Sequence, residues 1–120
     1  ARTSALKLNF RAPICPRLSS TASSTALSCQ LLGMNARTPT DFQFSFKGFT
    51  ERGGATDIHA DGWGLATYAG RGIQAFHEKQ PSCSSPIANL LSSSTDPIKT
   101  HNVLAHIRYA TVGATALENV

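Results

Sequence analysis

Apolar residues acquire a readable period only from Cys29 onward. Residues 1–28 are rich in Ser and Thr, carry Pro13 and Pro16, and show neither a helical nor a strand repeat, which predicts a disordered leader. Cys29 to Asn35 reads as a short, mostly apolar strand broken by Gly33, and Ala36 to Thr40, with Pro39, reads as a turn. Thr40 or Asp41 can then cap a helix in which Phe42, Phe46 and Phe49 recur at helical spacing and form a core face. Gly48 and the Gly53-Gly54 pair are its stop signals.

Further along, Gly62 to Tyr68 and Ile73 to His77 flank a Gly-rich turn at Gly70-Arg71-Gly72, the pattern of a β-hairpin. Pro81 to Pro86 reads as a loop, and Pro86 to Leu91 as a short helix with Pro in its first turn and Ser85 as its cap. Asn102 to Tyr109 is apolar almost without interruption, which predicts a strand buried on both faces. Strand, helix, hairpin, helix, strand is an α/β or α+β layer pattern. The core so assembled is thin, and Val120 falls in a segment without turn or cap chemistry, which predicts a fragment of a larger domain.

Composition narrows the function classes. A chain of 120 residues, 41% hydrophobic and 15% charged, has room for one small globular domain. Its three scattered cysteines make no disulfide framework, and no apolar run approaches the roughly 20 residues that span a bilayer. The net charge of +4 resides wholly in residues 1–28, where Arg2, Lys7, Arg11 and Arg17 meet no acid; beyond them bases and acids balance. The folded part thus lacks a basic stripe for nucleic acid or for an anionic membrane. An Arg-rich, Ser-rich, acid-free leader has the composition of an organellar transit peptide, and a chain fragment or a misassigned translation start yields such a leader too. Free cysteines fit a reducing compartment, which is the cytoplasm, or a mitochondrion or plastid if residues 1–28 are such a peptide. Cys83, in a Ser- and Pro-rich loop, reads as an incidental thiol, as does Cys15 in the leader.

Few residues point to chemistry on their own. The cysteines and His59, His77, His101 and His106 show no zinc-ligand spacing, and the Gly-rich segments lack the order of a phosphate loop. Two features are harder to read as structural. Alternation puts Leu104, His106 and Arg108 on one face of the last strand, and a buried guanidinium there requires an anion, from the protein or from a substrate. Between Asp57 and Gly64, the side chains of His59, Asp61 and Trp63 crowd a Gly-flanked entry into a strand.

Taken in order, Cys29-Gln30-Leu31-Leu32-Gly33-Met34-Asn35, Arg52-Gly53-Gly54, Asp61-Gly62-Trp63-Gly64 and Ala105-His106-Ile107-Arg108-Tyr109-Ala110-Thr111 resemble the successive motifs of class II glutamine amidotransferases. Their order and spacing are most similar to those of the single-domain, bacterial-type members. The resemblance implies an α+β fold of the N-terminal nucleophile hydrolase type, a four-layer αββα sandwich of which residues 29–120 would be the amino-terminal portion. It also implies that Cys29 is the nucleophile that attacks the side-chain amide of L-glutamine, releasing ammonia through a thioester that water resolves to glutamate. In ordinary peptides a thiol titrates near about 8.5 and an α-amine near about 7.7 to 8.0, so one terminal cysteine can supply both nucleophile and base. Matched by position, Arg108 would bind the glutamine α-carboxylate, Thr111 would line that pocket, and Arg52 and Gly53 would form a loop bordering the nucleophile. Asp61 and Trp63 would support that loop, and His106 would be a packed strand histidine. No cofactor and no metal are implied.

The chain departs from the family pattern at both ends. Ser28 precedes Cys29, so the Cys29 nitrogen is a non-basic amide until a cleavage frees it. The family's Asn-Gly oxyanion hole and the carboxylate that holds the glutamine α-amine have no counterpart before Val120, so the chain alone is expected to be nearly inactive. The competing expectation is a non-catalytic, amidotransferase-like binding or scaffold domain.

Overall fold

A computed structural model of the protein describes residues 28–111 and 117–120 and folds the body into one antiparallel sheet with two helices. Apart from Ser28, the predicted leader lies outside the described residues. Strand β1 (Gln30–Asp41) leads into helix α1 (Gln43–Glu51), and β2 (Trp63–Ala69) and β3 (Gly72–Glu78) form the predicted hairpin. A 3₁₀ turn (Ser82–Ser84) and helix α2 (Pro86–Ser93) precede β4 (Lys99–Ile107), and a second 3₁₀ turn covers Leu117–Asn119. The spatial order is β1-β4-β2-β3, so the last strand inserts between the first strand and the hairpin.

Register explains which face is buried. Leu32 and Leu65 both lie opposite Ala105, Met34 lies opposite Val103, and Trp63 opposite Ile107. These residues share one face of the pleat, and Phe42, Phe46 and Phe49 of the α1 segment and Ala88 of α2 pack against it. The Phe46 ring sits between Phe42 and Trp63, each centroid 5.9 Å away. The predicted phenylalanine stripe is therefore the helical half of the core.

Several sequence expectations need correction. Ala36 to Thr40 is not a turn: β1 continues to Asp41, and its ladder with β4 is broken by a register shift between Asn35 and Thr40. Pro39 is tolerated because β1 is an edge strand and the irregular stretch asks for no ladder donor there. Gly48 lies inside α1 and does not end it. Asp41 helps start that helix as expected, its Oδ1 accepting from the Gln43 N–H at 2.7 Å, although Phe42 occupies the cap position itself. Ser85 caps α2 as predicted, accepting from the Ala88 N–H at 3.0 Å. Strand β4 is buried on one face only: Val103, Ala105 and Ile107 are covered, while Leu104 is 51% exposed. The continuous apolar run misled because both helices pack on the same side of the sheet. Cys83 is not the free thiol expected, being disulfide-bonded. Among the described residues no helix is long and apolar enough to cross a membrane.

Candidate active site

Cys29 stands exposed one residue before β1. The pairing of Gln30 with Ile107 brings it to the end of β4, where its Sγ lies 3.8 Å from the Tyr109 carbonyl oxygen. Arg108 follows directly after β4 and is 6% exposed. Its main chain is clamped by the Asp61-Gly62 turn: the Arg108 N–H donates to Gly62 O at 2.8 Å and its carbonyl accepts from the Asp61 N–H at 3.3 Å. The Asp61 carboxylate then accepts from the Ala110 N–H at 2.8 Å. Gly62 must be glycine here, because its φ is +125° and a Cβ would lie 2.9 Å from the Glu78 carbonyl oxygen. Asp61 and Gly62 therefore hold the strand end that presents Arg108.

The other matched residues take different positions. Arg52, exposed on the loop after α1, donates through Nη1 to Gln30 Oε1 at 3.3 Å and so reaches the residue next to Cys29. Gly53 is buried against the 3₁₀ turn, where an added Cβ would lie 1.9 Å from Ser82 Oγ. That hydroxyl cannot easily move, since it donates to Thr50 O at 2.7 Å. We expect Gly53→Ala to cost about 2–3 kcal/mol by overpacking, read as a lower urea midpoint of the full-length protein. A wild-type midpoint would refute the clash. Thr111 is exposed, three residues beyond Arg108, and its N–H donates to Tyr109 O at 3.1 Å. An open groove of about 690 Å³ between β1 and α1 is lined by Gln30, Leu31, Phe44 and Arg52 among others. Among the described lining residues there is neither Cys29 nor Arg108.

Trp63 is 1% exposed and belongs to the core, its indole N–H donating to Glu78 Oε2 at 3.1 Å. Ser85 donates to the same carboxylate oxygen, which ties the hairpin to the cap of α2. Trp63 was expected to support the Arg52-Gly53 loop; its recorded contacts instead join the sheet to the two helices.

His106 is half-buried on the open face of the sheet, opposite Leu31 and Gly64. Burial, and then the positive charge of Arg108, push its imidazole below the usual histidine value of 6.5. The unfolded chain therefore takes up this proton more readily than the folded one. This histidine's effect on stability is absent at high pH and becomes a loss as pH falls below about 6.5. Denaturant midpoints of the full-length protein should drop between about pH 7.5 and about pH 5, and His106→Gln should make that slope shallower. An identical slope in the variant would refute the assignment.

One residue acquired no role from the sequence beyond its crowded surroundings. His59 is 3% exposed, and its Nε2 lies 2.6 Å from the carbonyl oxygen of Ser28, the residue joined to Cys29. Its Nδ1 lies 3.1 Å from Asp57 Oδ1, and its ring meets Tyr109 edge-on at 5.5 Å between centroids. No local spacing links position 59 to position 28; only the closing of the loop over the start of β1 does so.

Comparison with known proteins places the chain in a family. Residues 28–120 match the family described as glutamine amidotransferases class-II, and the chain belongs to that family. It is 53% identical over 91 residues to "Putative glutamine amidotransferase YafJ" of Escherichia coli strain K12, covering 76% of this chain and 35% of that protein. It is 52% identical over 91 residues to "Putative glutamine amidotransferase" of Haemophilus influenzae, covering 76% of this chain and 30% of that protein. The chain thus spans about a third of the length of these curated relatives. No solved structure matches it significantly.

Proposed function

We propose that the chain is the amino-terminal part of a glutamine-hydrolysing domain in which Cys29, once freed from Ser28, is the nucleophile. The observation that carries this reading is the β1–β4 pairing, which brings Cys29 to the Arg108–Tyr109 segment although the two are far apart in sequence. The free α-amine of Cys29 takes the thiol proton, and the thiolate attacks the carboxamide carbon of L-glutamine. The C–N bond breaks, the proton leaves with ammonia, and the remaining thioester is hydrolysed to glutamate with return of the thiol. Arg108 pairs with the substrate α-carboxylate and so aligns the amide, with Thr111 beside it and the Arg52-Gly53 loop at the border.

The open face of the sheet supports a four-layer N-terminal nucleophile hydrolase fold. Leu31, Tyr68, Ile73 and Leu104 are all exposed, an apolar surface on which a second sheet can pack. We place that sheet, together with the oxyanion hole and the carboxylate for the substrate amine, in sequence beyond Val120. The 120-residue chain alone is then nearly inactive.

The test is made on the full-length cellular protein. Mass spectrometry should find Cys29 as its first residue, and an electrophilic glutamine analogue should label Cys29 with loss of glutaminase activity. A stable species that retains Ser28 and resists the analogue would instead favour a non-catalytic, amidotransferase-like scaffold.

A further inference from the structure

The buried imidazole of His59 has no part in the mechanism above, yet it touches the peptide that precedes the nucleophile. In a peptide the carbonyl oxygen and the following nitrogen are about 2.3 Å apart, as the C=O and C–N bond lengths require. With His59 Nε2 at 2.6 Å from Ser28 O, the Cys29 nitrogen can be no more than about 5 Å from Nε2. Once Ser28 is gone, that nitrogen is an amine facing Nε2 directly or across a single water in the place of the lost oxygen. We infer that His59, backed by Asp57, is the positioning residue for the Cys29 α-amine in the freed protein. The inference rests on the functional reading above only in requiring that Cys29 become the first residue.

The chemistry suits the task. While Ser28 is present, Nε2 donates to its carbonyl oxygen; once that oxygen is gone, the proton can move to Nδ1, 3.1 Å from the Asp57 carboxylate, and the Nε2 lone pair becomes an acceptor. One amine N–H donated to Nε2 fixes the direction of the amine lone pair, which then faces the thiol proton instead of rotating freely. The Tyr109 ring edge limits the tilt of the imidazole, and the Tyr109 carbonyl lies 3.8 Å from the Cys29 sulfur, so one residue borders both groups. The ionisable groups of the surrounding segments are Arg52, Asp57 and Asp61 in the loop, Cys29 before β1, and Arg108 and Tyr109 after β4. Of these, the Asp61 carboxylate already accepts from the Ala110 N–H, which leaves Asp57 as the carboxylate recorded on the imidazole.

The experiment compares two forms of the full-length protein. One starts at Cys29 after the host removes an initiating Met, and the other retains residues 1–28. The rate at which iodoacetamide alkylates Cys29 near pH 7.5 is followed by peptide mass spectrometry. His59→Ala should slow alkylation at least about fivefold in the freed form and less than about twofold in the other, where residue 29 carries an amide. His59→Gln, which keeps an acceptor, should recover much of that rate. In glutamine hydrolysis His59→Ala should lower kcat about 10- to 100-fold with KM within about twofold, because the substrate carboxylate is held elsewhere. If His59→Ala does not fold, Asp57→Asn carries the test and must show the same loss confined to the freed form. Equal slowing in both forms, or none in the freed form, overturns the inference. A freed wild type that ignores glutamine yet shows the selective loss would defeat the glutaminase reading and leave the role of His59 standing.

Discussion

Cys29→Ala, made in the full-length protein freed of residues 1–28, is expected to lower glutamine hydrolysis by about 10⁴-fold or more while leaving glutamine binding nearly intact. The size follows from the division of labour in the site. Removing a nucleophile closes the covalent route, and what remains is the modest acceleration from binding and oxyanion contacts. Binding should survive because Arg108 is held by main-chain contacts to Asp61 and Gly62, none of which involves Cys29. Ammonia release and calorimetric titration with glutamine would measure the two quantities separately. A variant keeping more than about 1% of the wild-type rate would remove Cys29 from the mechanism.

Trp63→Ala is expected to be the most damaging single change to the fold, at about 3–5 kcal/mol. The indole is 1% exposed and tilted against Phe46, so its removal opens a cavity where the sheet meets α1. It also takes away the N–H that holds Glu78, whose carboxylate is shared with the Ser85 cap of α2. Against a domain stability of about 5–15 kcal/mol, a loss of that size leaves little folded protein at moderate denaturant. Urea unfolding of the full-length protein reads it directly, and Trp63→Phe separates packing from the hydrogen bond by losing only about 1–2 kcal/mol. If alanine and phenylalanine cost the same, the cavity argument fails.

Much of the local structure was legible because local rules govern it. The Phe42, Phe46, Phe49 stripe, the Ser85-Pro86 helix start and the Gly70-Arg71 hairpin turn all depend on residues no more than about two helical turns apart, and each is found. The strand boundaries were harder. Whether Ala36 to Thr40 turns or stays extended depends on β4 lying alongside, and whether Leu104 is covered depends on which side the helices choose. Neither is written in a window of a few residues.

The candidate site divides in the same way. Arg108 and the Asp61-Gly62 segment could be singled out from residue type and placement, whereas Cys29 and Arg52 stood out only through motifs that resemble those of the family. That Arg52 contacts Gln30 beside Cys29, while Gly53 serves the packing on Ser82, emerged only from the folded chain.

By itself, then, the amino-acid sequence determined which segments are helix or hairpin, which side chains can do chemistry, and to which family the motifs point. Tertiary structure alone decided that the last strand enters between the first and the hairpin, and that His59 closes over the peptide before Cys29. The physical reason is range. Caps, turns and side-chain periodicity act over a few residues, whereas strand order and loop closure are set by pairing and burial among segments that meet only when the core forms.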